Sequence, residues 1–170
     1  MPSAQICGRL LNCRHCAKDC LPERLSAAPP PTVSREFTFP GDSASLVPAR
    51  EAIMGVLRDY CSSEAEEIDL FLALQEALAN AVRHGCQDDP AKQIHCSVQV
   101  DPATFTIGIR DSGAGFDAQR VAAPGDSTPN LSESGRGIFL MRSVMDEVTH
   151  SRGGSEVRLR KLRAAPSGGS

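Results

Sequence analysis

The stretch that decides the fold is Glu76-Ala-Leu-Ala-Asn80-Ala-Val-Arg-His84-Gly85, at the end of a long run with helical periodicity. Glu76 and Asn80 are four residues apart, so a helix of 3.6 residues per turn places both on one face. A carboxylate beside a carboxamide suits a general base next to a metal ligand. The stretch therefore predicts a helix that carries a chemical face near its C-terminal end.

Two glycine-containing segments follow this helix. Asp111-Ser-Gly113-Ala-Gly115-Phe116 comes directly after an apolar strand-like run, and Gly135-Arg136-Gly137-Ile138 opens a helical pattern. Glycine lets the backbone approach a phosphate closely, and the N-terminus of a helix favours anions. Because the order, spacing and predicted context of the three segments agree, together they predict an ATP site.

Two helices are predicted in the first half of the chain. One runs from about Ser45 to Tyr60, with Val47, Ile53, Val56 and Leu57 as its buried stripe. The other runs from about Ser63 to His84, with Phe71, Leu74, Leu78, Ala81 and Val82 on its packing face. Gly85 then stands where a left-handed cap residue is expected.

Strand patterns make up most of the remaining chain. They cover residues 35–39, 94–100, 104–110, 146–151 and 155–162, with turn chemistry at 101–103 for an antiparallel hairpin. A helix is predicted from Gly135 to Met145, and residues 117–134 have the length of a functional lid or a disordered loop. The pattern predicts an α+β, two-layer sandwich, with a mostly antiparallel mixed sheet and helices packed on one face.

Composition excludes several classes of protein. The 170 residues include 18 Lys+Arg against 21 Asp+Glu, no Trp and one Tyr, so the chain has neither the basic excess nor the stacking aromatics of a nucleic-acid-binding protein. No apolar stretch is long enough to span a bilayer, and the N-terminus lacks the pattern of a signal peptide. We therefore expect a cytoplasmic protein with no nucleic acid and no membrane among its partners.

The predicted domain organisation is a Cys-rich extension with a Pro-rich linker at 1–33, an ATPase domain at 34–163 and a flexible tail at 164–170. The extension holds Cys7, Cys13, Cys16 and Cys20. Four sulfurs could close one zinc site or hold an iron-sulfur cluster. The spacing lacks the second half-site of standard zinc modules, so thiol redox sensing and a plain extension stay open as alternatives.

Over about residues 35–162, these motifs resemble the ATPase superfamily shared by gyrase, heat-shock chaperones, mismatch-repair proteins and histidine kinases. Within that superfamily, Glu-Ala-x-x-Asn-Ala-x-x-His-Gly, Asp-x-Gly-x-Gly-Phe-Asp and the run that ends in Met145-Asp146-Glu147-Val148 resemble the anti-sigma-factor serine kinases. The resemblance implies a histidine kinase-like ATPase fold. It also implies a protein serine/threonine kinase that phosphorylates an anti-sigma antagonist protein and sequesters a sigma factor, and we expect a homodimer.

The resemblance further implies a role for each motif residue. Glu76 would be the general base, Asn80 would coordinate magnesium at the phosphates of ATP, and Asp111 would accept the adenine amino group. The other implied ATP-binding residues are Arg83, His84, Gly113, Gly115, Gly135, Arg136, Gly137 and Ile138. Simpler interpretations remain open for three of them: a turn aspartate at Asp111, a solvent-facing side chain at Arg136 and a helix C-terminal contact at His84.

Two other functions are compatible with an ATP site. The catalytic part of a two-component histidine kinase would need a phosphoacceptor histidine on an upstream helical segment, and the only upstream histidine is His15, among the cysteines. A nucleotide-binding regulatory module without kinase activity would need no base at Glu76. The sequence therefore favours the serine/threonine kinase over both.

Overall fold

The structure, a computed structural model, describes residues 33–113 and 133–163, with side chains from 136 onward in the second range. Residues 1–32, 114–132 and 164–170 lie outside the described residues, so only residue 33 of the predicted extension is described. The strands are β1 (Val33–Gly41), β2 (Asp89–Val100), β3 (Thr104–Asp111), β4 (Glu147–Ser151) and β5 (Glu156–Leu162), and the α-helices are α1 (Leu46–Leu57), α2 (Glu64–Asn80) and α3 (Glu133–Val144). Short turns of 3₁₀-helix flank α1, and a π-helical turn, Ala81–Cys86, follows α2.

The five described strands form one sheet in the order β1-β2-β3-β5-β4. Every pairing among them is antiparallel. The predicted hairpin joins β2 to β3, and Asp101 fixes its turn by accepting the backbone N–H groups of Ala103 and Thr104, both at 2.8 Å. The expected α+β architecture is thus confirmed.

The core lies between the sheet and the helices. Alternate strand residues are buried on the helix side: Ile94, Cys96, Val98, Val100, Phe105, Ile107, Ile109, Val157 and Leu159. The opposite face is polar, as the register row Glu36, Ser97, Gly108, Arg158 and Thr149 illustrates. Since successive side chains of a strand point to opposite faces, this alternation puts the helices on one side only.

The buried stripe of α1 differs from the prediction at Val47. The buried residues are Ala49, Ile53, Met54 and Leu57, whereas Val47 is 56% exposed. Because α1 begins at Leu46, Val47 lies in its first turn, about 200° around the axis from Ala49. The prediction is therefore right at Ile53 and Leu57 and wrong at Val47. Val56 is only half-buried, and the buried Met54 was not predicted.

Lys161 ties α2 and α3 to the sheet. Its ammonium group donates to Asp69 on α2 at 2.8 Å and to the backbone carbonyl of Val144, the last residue of α3, at 2.9 Å. A cation at this end of α3 also complements the helix dipole. The contact places the end of α3 beside the first half of α2, so the start of α3 lies beside the chemical face of α2.

Candidate active site

The chemical face of α2 meets the start of α3. Ser63 caps α2 by accepting the N–H of Glu66 at 3.2 Å, and Glu76 and Asn80 follow on one face, both half-buried. Gly137 of α3 packs against this pair. A β-carbon at Gly137 would stand 2.6 Å from Oε2 of Glu76 and 3.6 Å from Nδ2 of Asn80. A side chain at this position would have to displace the Glu76 carboxylate, so the third motif meets the first.

The π-helical turn after α2 joins the first motif to the second. Gly85 in this turn is buried, and a β-carbon there would overlap the carboxyl group of Asp111. A β-carbon at Gly113 would in turn overlap the backbone carbonyl of Gly85. Both glycines are therefore needed for close packing between the end of β3 and this turn.

The prediction that Gly85 is a left-handed cap is wrong. Among the described glycines only Gly153 and Gly154 have positive φ, and the left-handed residues after the turn are Gln87, at φ 60°, and Asp88, at φ 58°. The N–H groups of Gln87 and Asp88 both donate to the carbonyl of Val82, which closes the turn. The glycine at position 85 is therefore explained by its close contact with Asp111, which is distant in sequence, and not by a left-handed backbone conformation.

Asp111 is held at the end of β3 by three interactions. One carboxylate oxygen accepts the N–H of Gly113 at 2.8 Å, and the backbone N–H of Asp111 donates to the carbonyl of Ser155 at 3.0 Å. Its carboxyl also packs on Gly85. Burial raises the pKa of Asp111 above its usual value, and the hydrogen bond from Gly113 opposes that shift. A fixed, partly desolvated carboxylate is a selective acceptor for an amino group.

A small cavity of about 20 Å³ lies between α2, α3 and the sheet. Its lining is Ala77, Asn80, Ala81, Ile109, Asp111, Met141, His150, Gly154, Ser155 and Val157. Apolar walls with a few polar groups suit a planar base. A volume of this size holds about one water molecule. The unbranched Met141 is the most adaptable part of the cavity walls.

The remaining predicted site residues are placed as follows. Arg83 and His84 are exposed on the π-helical turn, and Arg83 lines a separate groove between α1 and α2. Gly135 and Arg136 lie in the first turn of α3, Arg136 being exposed, while Ile138 is buried. Gly115 and the four N-terminal cysteines lie outside the described residues. Within the described ranges, no group of three or more His, Cys, Asp or Glu could hold a metal ion.

Sequence reasoning missed Met141, His150, Ser155 and Val157 as cavity residues. Met141 could have been found one helical turn after Gly137. The others lie on β4, on β5 or just before it, and their position became predictable only with the strand order, since β5 and not β4 pairs with β3.

No helix among the described residues is long and apolar enough to cross a membrane.

Comparison with known proteins identifies the family of this chain. The histidine kinase-like ATPase domain family matches residues 39–161. An anti-sigma F factor of Halalkalibacterium halodurans is 34% identical over 114 residues, which cover 66% of this chain and 78% of that protein. The serine-protein kinases RsbW of Oceanobacillus iheyensis and Bacillus subtilis are 30% and 32% identical over 116 residues, which cover 60% of this chain and 73% and 72% of those proteins. The chain therefore belongs to the family of histidine kinase-like ATPase domains.

Proposed function

We propose that this protein is an ATP-dependent protein serine/threonine kinase of the anti-sigma type. Its substrate is an antagonist protein, and its second partner is a sigma factor. The observation that carries the proposal is the packing of Gly137 against Glu76 and Asn80, because it brings a phosphate-binding helix start to a potential base. The relatives named anti-sigma F factor and serine-protein kinase support the same activity.

The chemistry asks mainly for positioning and charge stabilisation. Glu76 takes the proton from a serine or threonine hydroxyl of the substrate protein, while the oxygen of that hydroxyl attacks the γ-phosphorus of ATP. The bond between that phosphorus and the bridging oxygen breaks, and ADP leaves. The backbone N–H groups at the start of α3, together with its dipole, hold the phosphates. A module that only binds nucleotide would need no carboxylate at this point.

Magnesium fits the donor chemistry of this site. The Asn80 side chain lies in the cavity wall, beside the space that a side chain at Gly137 would fill. Magnesium prefers oxygen ligands and is usually bound by one or two protein side chains together with phosphates. Asn80 would hold the ion, which neutralises phosphate charge when bound. Asp111, which lines the same cavity, accepts a hydrogen bond from the amino group of the adenine.

The decisive test uses purified protein, γ-labelled ATP and the candidate antagonist proteins encoded near its gene. We expect label on a serine or threonine of one antagonist, and complex formation between this protein and a sigma factor. Label on a histidine would instead support the histidine-kinase alternative. ATP binding with no transfer to any antagonist would support the regulatory module. Sedimentation of the same sample tests the proposed homodimer.

The assignment of Asn80 predicts a magnesium-dependent defect. Asn80→Ala should weaken ATP binding about ten- to hundredfold with magnesium present, because a contact to a charged group is lost, and about twofold or less without it. Titration calorimetry in both conditions measures this. Gln99→Ala removes a carboxamide from an exposed strand position and should change neither value. A defect of Asn80→Ala that is independent of magnesium would refute the assignment.

We also propose that residues 1–32 form a unit separate from the ATPase domain, since Val33, the last residue of the predicted extension, already pairs with Val100 in the sheet. The family match begins at residue 39, after the linker that contains Pro29, Pro30 and Pro31. Deletion of 1–32 should leave ATP affinity within about threefold and thermal stability little changed. Zinc or a cluster on the extension would appear as about one metal site per chain that is lost in a Cys13→Ser, Cys16→Ser variant. A large loss of ATP affinity on deletion would contradict the proposed boundary.

A further inference from the structure

Lys161 stands at a position of β5 where the strand pattern calls for an apolar side chain. Val157 and Leu159, which precede it on the same face of the strand, are buried against the helices. The side chain of Lys161 is only 16% exposed, and burial of a charge is costly unless the charge is paired and hydrogen-bonded. An apolar side chain would occupy this place without that cost. The cation therefore indicates a role other than filling the core.

The ammonium group of Lys161 links α2 to α3. It donates to Oδ2 of Asp69 at 2.8 Å and to the backbone carbonyl of Val144 at 2.9 Å. The carbonyls in the last turn of a helix have no partner within the helix, so this contact also satisfies one of them. The cation thus gives both helices one common fixed point.

The end of α3 is tied to β5 by a separate contact. The backbone N–H of Asp146 donates to the carbonyl of Arg160 at 3.1 Å, and the Asp146 carboxylate accepts the N–H of Leu162 at 2.7 Å. These bonds do not involve α2. Loss of the Lys161 cation would therefore leave α3 attached to the sheet and remove its polar link to α2.

The spacing along the two helices connects this fixed point with the candidate site. Asp69 lies seven residues before Glu76 on α2, and Val144 lies seven residues after Gly137 on α3. Seven residues are about two turns, or about 10 Å along a helix axis. Because the ammonium group of Lys161 holds the far ends of these two intervals together, the antiparallel helices bring Gly137 level with Glu76. A β-carbon on Gly137 would stand 2.6 Å from that carboxylate.

Small and adaptable side chains lie between the fixed point and the site. By spacing, Ala73 and Ala77 occupy the side of α2 between Asp69 and Asn80, and both are buried. Met141 of α3, which lines the cavity together with Ala77, has an unbranched side chain that adapts to its surroundings. Such side chains oppose an axial shift of α3 less than large interlocking ones would. A polar contact is an established way to specify the register of packed helices.

We propose that Lys161 is a positioning residue for phosphoryl transfer, which holds the start of α3 at the axial level of Glu76. The inference rests on the proposed function, since it needs phosphates bound at the start of α3. Lys161 itself touches neither nucleotide nor substrate, because its contacts lie about two helical turns from that point. It acts on the distance between the γ-phosphate and the base. The acceptor of the adenine amino group, Asp111 on β3, is left in place.

Lys161→Met in the full-length protein tests this role. The variant keeps an unbranched side chain of similar length and loses the ammonium group. Its rate of transfer to the antagonist at saturating ATP should fall about ten- to hundredfold, because a misplacement of about 1 Å at the reacting atoms has an effect of that size. Its affinity for adenosine, which has no phosphates, should equal that of the parent. Lys161→Arg should restore most of the rate, since a guanidinium can donate to the same two acceptors.

Arg58→Met is the matched control for lost stability. Arg58 pairs with Glu67 in the first turn of α2 at 2.7 Å, so this variant also removes a cation from an ion pair on the same helix, but at the end away from the site. All variants are assayed at a temperature at which circular dichroism shows them to be folded. Arg58→Met should transfer at the parental rate. A parental rate in Lys161→Met, or an equal loss in Arg58→Met, would overturn the inference.

A second readout needs neither transfer nor the Lys161→Met variant. Asp69→Asn removes the charge that Lys161 contacts and keeps the shape of the side chain. In the ¹⁵N spectrum of the nucleotide-free protein, this change should move the amide signal of Gly137, about two turns away, and Arg58→Met should not. An unmoved Gly137 signal in Asp69→Asn would overturn the inference. A parent that transfers no phosphate would refute the proposed function and the inference with it, which is distinguishable because failure of the inference alone leaves the parent active.

Discussion

Glu76→Gln is expected to bind ATP nearly as well as the parent while its rate of phosphoryl transfer falls about two to four orders of magnitude. The carboxamide has the size of the carboxylate and fits the same space beside Gly137, but it accepts a proton poorly. Titration with ATP and single-turnover transfer to the antagonist protein separate the two effects.

Glu64 provides the matched control for this variant. It is an exposed carboxylate in the first turn of the same helix, so Glu64→Gln makes the same chemical change away from the cavity. Its transfer rate should remain at the parental value. Transfer by Glu76→Gln at the parental rate would remove Glu76 from the mechanism, whereas a parallel loss of ATP binding would make it a binding residue.

Asp111→Asn is expected to lose about ten- to hundredfold in affinity for ATP, with or without magnesium, while the folded state becomes more stable at neutral pH. The affinity should fall because the proposed acceptor for the adenine amino group loses its charge. The stability rises because burial raises the pKa of Asp111, so its ionised form is less favourable in the folded than in the unfolded chain.

The direction of the pKa shift of Asp111 fixes how the stability change depends on pH. A group whose pKa is raised in the folded state stabilises that state fully below its unfolded pKa, and this contribution is lost as the pH rises through the folded pKa. The advantage of Asp111→Asn should therefore be present at pH 7 and absent in acid. Thermal unfolding at both pH values measures it, and lower stability of the variant at pH 7 would contradict the argument.

Asp101 provides a control because its pKa is shifted in the opposite direction from that of Asp111. The hydrogen bond from the Thr104 hydroxyl, together with that from the N–H of Ala103, holds the pKa of Asp101 below its usual value. Its carboxylate therefore stabilises the fold above its unfolded pKa, and this contribution is lost as the pH falls through the folded pKa. Asp101→Asn should reduce stability at pH 7 and leave nucleotide affinity unchanged, since the turn lies outside the cavity.

Most of the fold was predictable because its signals are local. The helices start and end within a few residues of the expected positions, since caps such as Ser63 and breaks in periodicity act over one or two turns. The hairpin at 101–103 was predictable from turn chemistry. The exposure of Val47 was not predictable. Side chains two residues apart on a helix point to nearly opposite faces, and apolar composition alone does not show which of them is buried.

The motifs of the candidate site were predictable from the sequence, but the way in which they pack together was not. Glu76 and Asn80 share a helix face by spacing alone. The reason for glycine at position 85 is a carboxyl group that arrives from β3, and nothing local to Gly85 indicates it. His150 and Ser155 join the cavity only because β5 lies between β3 and β4, and strand order depends on long-range pairing.

The close approaches at Gly85, Gly113 and Gly137 link nucleotide affinity to the folding of the whole domain. Each joins parts of the chain that are distant in sequence. The proposed nucleotide site therefore forms only in the folded domain. A ligand that binds only the folded state stabilises it by about 2.7 kcal/mol at a concentration one hundred times its Kd. The cellular pool of adenine nucleotide would then set the fraction of chains that stays folded. Depletion of that pool would shorten the lifetime of the protein by exposing it to proteases.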